Sequence, residues 1–434
     1  MSTLEELCAP YQNQDSLSVE TVRDIMRAFI SPTTRIETVS LHQAFGRVVA
    51  TDICSPINVP PHHNSAMDGY AFHSTVLQEA ETLELTVVGE RLAGSQESHS
   101  VELHQCIRIM TGAVMPDSCD TVIPQEMCEV FHDAAAGSTK IRFQNQRISA
   151  GTNRRLAGED LAIGQHIVTK GKRLHAADLG LLASVGIAEV PVYQTLRVAY
   201  FSTGDELRSL GETLDAGCIY DSNRFTLCAL LREMQIDVID LGVVRDEPET
   251  LRGLIQQACR DADVILTSGG MSMGTADYTK QIMHELGEVQ FWNVEMRPGR
   301  PMAFGRLRSN VTKRSCYLFG LPGNPVAAML NFLFITRPAL QQLQGLLSTE
   351  TLLVPAKLSH GIRKRPGRTE FQRCIVHLDA TGQLYASTTG SQGSGILRSM
   401  SEANAILVLG DNTGDLSAGE IVHLHLLHGL FSNF

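Results

Sequence analysis

From Arg197 to Leu286, short apolar runs rich in β-branched residues alternate with stretches of helical spacing, a pattern that few folds accept. Arg197–Phe201, Asp237–Leu241 and Asp263–Leu266 read as buried strands, and Ser222–Met234, Pro248–Arg260 and Thr279–Leu286 as the helices between and after them. Tyr317–Leu321 reads as a further strand, running through Pro322, Gly323, Asn324 and Pro325 into a helix over Val326–Ile335. Strands joined by helices in this order predict a doubly wound α/β unit, and such sheets bind ligands outside the C-terminal ends of their strands. Four segments are therefore expected to open on one edge: Ser202–Glu206, Arg245–Glu247, Ser268–Asp277 and Gly320–Pro325.

The chemistry at those ends is anionic in its expected ligand. In Val264–Lys280, a strand stops at Ser268, Gly269 and Gly270, whose missing side chains let backbone N–H groups approach a ligand closely. Ser272, Gly274 and Thr275 then allow a helix to begin near Asp277. Thr203-Gly204-Asp205-Glu206 joins a turn to paired carboxylates, and Asp246 and Asp277 add acids at equivalent ends. Oxygen donors without neighbouring Cys or His suit magnesium held jointly with a substrate phosphate. Each acid alone reads more plainly as a helix cap; four at one edge favour a site. The turn Arg297-Pro298-Gly299-Arg300-Pro301 sets two guanidinium groups on a stiff frame, which suits a tetrahedral oxyanion.

At 434 residues the chain exceeds one hydrophobic core, so two to four domains are expected. A formal charge of −11 argues against a nucleic-acid binder, which needs a basic face to displace counterions. The 10 cysteines show no Cys-x-x-Cys spacing, against structural zinc and a disulfide framework. The N-terminus has no secretory pattern, and the longest apolar stretch, Val326–Ile335, is broken by Asn331 and too short for a bilayer, so the expected setting is the cytoplasm, without a membrane.

The remaining chain divides by composition. Leu17–Phe29 reads as a helix capped by Ser18, and Thr38–Ala50 as a short strand followed by helix or turn. Glu84–Val88, Cys106–Met110 and Lys140–Phe143 are short β runs, with a hairpin tip over His132–Thr139. Leu174–Val185 reads as a helix and Val190–Tyr193 as a strand. Short β runs at Thr351–Leu358, Phe371–Leu378, Ala405–Leu409 and Ile421–Leu426 close the chain. The expected domains are an elongated, discontinuous α/β linker-type scaffold (1–54 and 147–192), a β-rich insert (55–146), the α/β domain (193–347) and a C-terminal β domain (348–434).

Six motifs stand in one order: NSAMDGYAF at Asn64–Phe72, FSTGDEL at Phe201–Leu207, IYDSNR at Ile219–Arg224, TSGGMSMGTADYTK at Thr267–Lys280, RPGRPMAFG at Arg297–Gly305 and GLPGNPVA at Gly320–Ala327. Together they resemble the MoeA family of molybdenum-cofactor synthesis enzymes, whose relatives include the plant and gephyrin E domains. The resemblance implies a MogA-like α/β domain, a small β insert and a barrel-like C-terminal domain. It also implies molybdopterin molybdenumtransferase activity: molybdate enters adenylylated molybdopterin with magnesium, and AMP is released. The implied assembly is a homodimer with a composite cleft, supplied by an upstream molybdopterin adenylyltransferase.

Carried over by motif, Asp68, Asp160, Glu206, Asp246 and Asp277 are the implied catalytic positions, with Glu206, Asp246 and Asp277 as magnesium ligands. Thr111, Arg155, Ser268, Gly269, Gly270, Ser272, Pro322, Gly323, Asn324 and Pro325 are implied to hold the pterin nucleotide. Arg297, Arg300, Arg368 and Ser394 are implied to hold molybdate, both arginines of the turn standing where the family usually has lysine. Ala157, Asn293 and Ala327 also depart from residues common in the family. The alternatives are a non-catalytic scaffold of gephyrin type and the neighbouring adenylylation of molybdopterin.

Overall fold

Strand Arg197–Thr203 shows why the middle of the chain folds as it does: its side chains are apolar on both faces and both faces are covered. Val198 and Tyr200 join one core with Leu227 and Leu231 of helix Ser222–Glu233. Ala199 and Phe201 join another with Leu251 and Ile255 of helix Pro248–Asp261. The computed structural model describes residues 3–95, 100–245, 247–270, 277–309, 315–347 and 352–427, with the backbone alone for 277–280.

The central sheet has six strands in the order Asp237–Val244, Arg197–Thr203, Val264–Ser268, Ser315–Leu321, Pro301–Arg308 and Gly287–Asn293. The first four are parallel, so their C-terminal ends share one edge, as the alternation of apolar runs predicts. The last two are antiparallel additions that the sequence reading did not anticipate. They follow the helix Asp277–Leu286 and the basic turn, and Trp292, Met302 and Phe304 belong to the core.

Helix Val19–Phe29 begins where Ser18 accepts a hydrogen bond from Thr21 N–H at 3.0 Å. Its apolar stripe Val22, Ile25, Met26 and Phe29 packs into the central core, Phe29 lying edge-on to Phe304 at 5.7 Å. Strands Ile36–Ser40 and Glu189–Tyr193 pair antiparallel, bringing together the chain before and after the β insert. The insert is a six-stranded sheet ordered Thr121–Pro124, Gly69–Phe72, Gln105–Ile109, Thr82–Arg91, Ser138–Gln144 and Glu129–Asp133. Its expected hairpin tip is shorter than the sequence suggests, since His132 pairs with Thr139 inside the ladder.

The C-terminal strands close on themselves. Thr369–Leu378, Leu384–Thr388, Val354–Leu358, Ile421–Leu426 and Ala405–Leu409 form a five-stranded barrel, the last pairing back with the first. Closure removes the unpaired edges that strands this short would otherwise present. Met296–Arg297 adds to the barrel in parallel beside Thr369–Glu370, so the basic turn sits at the seam between the two units. Among the described residues no helix is long and apolar enough to cross a membrane.

Candidate active site

A cleft of about 730 Å³ opens at the shared edge of the parallel strands, facing the barrel. Its floor is fixed by glycine geometry. Gly269 has φ +88°, and a Cβ there would lie 2.2 Å from the Thr203 carbonyl oxygen, so only glycine lets the two strand ends nest. Gly270 follows at φ +66°, and Gly269 N–H donates to the Leu321 carbonyl at 3.2 Å. Beneath, the Tyr200 hydroxyl is shared with Ser202 at 2.7 Å and Ser268 at 2.8 Å. Burial pushes the Tyr200 phenol well above its ordinary range, so this network stays neutral.

One wall is the Gly-Leu-Pro-Gly-Asn-Pro segment. Asn223, in the first turn of helix Ser222–Glu233, donates through Nδ2 to the Gly323 carbonyl at 2.8 Å. Pro325 opens the next helix, and Ala328 N–H returns to the Asn324 carbonyl at 2.9 Å. Asn331, the residue that breaks the longest apolar stretch, is fully buried and donates to the Gly299 carbonyl at 3.2 Å, tethering the basic turn. Asn223 and Asn331 escaped the sequence reading as site residues. The first lies inside a quoted motif, and the second had a visible signal, an amide in an otherwise apolar run.

The adjoining basic turn makes the lining cationic. Arg297, Arg300 and Arg368 all line the cleft, with Ser394 from the barrel. Arg297 Nη1 reaches the buried Glu370 carboxylate at 3.3 Å, and Gln372 Nε2 donates to its other oxygen at 3.0 Å. Val326 N–H donates to the Ser394 carbonyl at 3.0 Å, joining the barrel loop to the helix behind the wall. Asp205 and Glu206 stand at the sheet end of the same cleft. The lining therefore carries three guanidinium groups and two carboxylates.

The cleft thus gathers Glu206, Ser268, Gly269, Gly270, Pro322, Gly323, Asn324, Pro325, Arg297, Arg300, Arg368 and Ser394. Asp246 and Ser272 lie outside the described residues, as does the side chain of Asp277, which heads helix Asp277–Leu286. The other expected positions lie elsewhere, Asp68 and Thr111 on the insert and Arg155 and Asp160 on the scaffold segment that follows it. Asp68 accepts from the backbone N–H and the hydroxyl of Thr111, each at 2.7 Å, and these bonds hold its carboxyl below the usual range. Arg154–Arg155 pairs with Asn64–Ser65, and Arg155 meets Glu159 at 2.6 Å. Asp160 donates its backbone N–H to Val59 at 3.1 Å. Asp68, Thr111, Arg155 and Asp160 do not line the cleft of this chain.

Three family models match in sequence order: the MoeA N-terminal region (domain I and II) over residues 17–186, a probable molybdopterin binding domain over 199–342, and the MoeA C-terminal region (domain IV) over 355–427. A Haemophilus influenzae molybdopterin molybdenumtransferase is 37% identical over 95% of this chain and 100% of its own length. The chain belongs to the MoeA family. A Dictyostelium discoideum gephyrin is 30% identical over 94% of this MoeA chain and 62% of that longer protein. The crystal structure of a molybdopterin biosynthesis MoeA protein from Pyrococcus horikoshii superposes with a TM-score of 0.79 at 26% identity, covering 95% of this chain and 100% of that one.

Proposed function

We propose that this MoeA protein is a molybdopterin molybdenumtransferase that inserts molybdate into adenylylated molybdopterin, with magnesium, and releases AMP. The observation that carries the reading is the single cleft that gathers the Gly269–Gly270 loop, the carboxylates of Asp205 and Glu206, and the guanidinium groups of Arg297, Arg300 and Arg368. The Gly269–Gly270 turn admits the pyrophosphate of the substrate, because nothing projects from it and the strand ends are held rigidly below. Arg297, Arg300 and Arg368 hold the oxyanion through charge-assisted hydrogen bonds, and Ser394 orients it. Their planar forks replace the point charges of lysine, so oxyanion geometry is selected differently from lysine-bearing relatives.

The proposed metal donors are carboxylate oxygens, which suit magnesium. Glu206 presents a hard, exposed carboxylate at the mouth, with no thiol or imidazole among the cleft residues. Asp246 and Asp277 complete the proposed ligand set. Bound there, magnesium would supply a Lewis acid for the phosphoanhydride. The protein's own carboxylates position the attacking water.

Asp68, Thr111, Arg155 and Asp160 serve the same reaction from the insert and scaffold of a second copy, in a homodimer whose cleft is composite. The step upstream is the adenylylation of molybdopterin. Purified protein incubated with adenylylated molybdopterin, molybdate and magnesium should release AMP and yield active cofactor; absence of both rejects the reading.

A further inference from the structure

Arg373 is the largest side chain wholly removed from solvent, and its charge has no carboxylate partner among the described residues. It lies on barrel strand Thr369–Leu378, five residues beyond Arg368. Burial pulls its guanidinium down to about 10, which leaves it protonated at neutral pH. A buried cation without a counter-charge is costly, and an apolar side chain would fill a barrel core more cheaply. The charge therefore serves something other than packing.

Its bonds converge on one loop. Nη2 donates to the carbonyls of Gly393 at 3.0 Å and Ser391 at 3.4 Å, and Nε to the Ser399 hydroxyl at 3.0 Å. The backbone joins in: Arg373 N–H donates to Gln392 Oε1 at 2.8 Å, and Gln392 Nε2 donates back to the Arg373 carbonyl at 3.1 Å. Nη1 is buried without a hydrogen-bond partner. The loop so held delivers Ser394, which lines the cleft while its carbonyl accepts from Val326 N–H in the first turn of helix Pro325–Asn331. Arg373 also lines an adjoining cavity of about 360 Å³, which shares Arg297 and Pro298 with the cleft.

We infer that Arg373 is a positioning residue of the oxyanion site, holding the Ser391–Ser394 loop so that Ser394 faces the cleft and adding an uncompensated positive charge behind it. The inference rests on the reading of the cleft as an oxyanion site and names a residue that the motif comparison does not assign. The arginine acts through Ser394 and through its field, touching no substrate. Its loss should therefore weaken oxyanion binding selectively, leaving the glycine-loop side of the cleft unchanged.

The test is calorimetric binding of molybdate to wild type, Arg373→Met, Arg373→Lys, Ser399→Ala and Ser394→Ala, with steady-state KM values for both substrates. Arg373→Met should raise the molybdate dissociation constant about tenfold with an unchanged KM for adenylylated molybdopterin, and Arg373→Lys should recover part of the loss. Combined with Ser394→Ala, Arg373→Met should cost less than the two single losses multiplied. Ser399→Ala keeps the charge and loses one acceptor, so it gives a milder loss and reports even if Arg373→Met fails to fold. Wild-type molybdate binding in Arg373→Lys and Ser399→Ala, equal losses for both substrates, or independence from Ser394→Ala overturns the inference. A wild-type chain that binds molybdate but releases no AMP overturns the proposed activity and leaves Arg373 its role.

Discussion

The Arg297 guanidinium lies 3.3 Å from the buried carboxylate of Glu370, whereas Arg300, three residues on, has no ion pair among the described residues. The two cations of the basic turn are thus unequal. One is tied to the barrel, and the other has no such partner among the described residues.

Replacing Glu370 by Gln removes the competing anion while preserving the amide-sized shape. Arg297 is 69% exposed, so the pair is screened and its release is worth about 1 kcal/mol. Molybdate should bind about fivefold more tightly by calorimetry. Weaker binding in Glu370→Gln would show instead that the carboxylate orients Arg297 for the ligand.

Two glycines of the cleft should respond differently to alanine. At Gly269 the positive φ and the 2.2 Å approach to the Thr203 carbonyl both oppose a Cβ, and Gly269→Ala should cost about 2 kcal/mol or more and abolish AMP release. At Gly323 a Cβ meets only Gly269 Cα at 3.6 Å, so Gly323→Ala should change stability by less than about 0.5 kcal/mol. Thermal melts of the two variants decide the comparison.

Much of this architecture was legible because its signals are local. Val264–Ser268 is buried at every position, so its apolar run could belong only to a sheet covered on both faces, and the edge where ligands bind followed from the parallel order. The antiparallel strands Gly287–Asn293 and Pro301–Arg308 were not legible, since the first mixes buried and half-exposed positions and the second starts inside the basic turn. Leu384–Thr388 was missed for a similar reason: only Ala386 is buried. Barrel closure depends on pairings between Thr369–Leu378 and Ala405–Leu409, about thirty residues apart, which no local pattern encodes. A still longer separation, 73 residues, hid the pairing of Glu370 with Arg297, which appears only when the basic turn is laid against the barrel.

Asp68 offers a titration test. Its carboxyl is lowered by the Thr111 hydroxyl first and the Thr111 backbone N–H second, so a shift back toward 3.8 is expected in Thr111→Val, where only the backbone bond survives. Because the native value is depressed, any stability it confers is complete above the unfolded value and disappears as pH falls through the native one. At neutral pH Asp68 is ionised in both proteins, so a loss of activity in Thr111→Val would not come from protonation. Carbon-detected NMR of the Asp68 carboxyl measures the shift directly.

His425 sets a second pH dependence. Burial, then Arg337 and Arg23, lower its imidazole from 6.5 to about 4, and its ring meets Phe334 edge-on at 5.2 Å. The native state favours neutral imidazole, so the unfolded chain binds the proton more readily between those values. Stability is full above pH 6.5 and declines as pH falls toward 4, on the order of 2 kcal/mol from this one group. Urea denaturation at pH 7 and pH 4.5 should show the loss in wild type and a smaller one in His425→Gln.

The pairing of Met296–Arg297 with Thr369–Glu370 stitches the barrel to the sheet through main-chain hydrogen bonds at the lip of the cleft. A hinge between those two bodies has nowhere to pivot without dragging the basic turn along. A change in the angle of the barrel would therefore carry Arg297 and Arg300 with it, and under the proposed reading the hold on the oxyanion and that angle are a single mechanical variable.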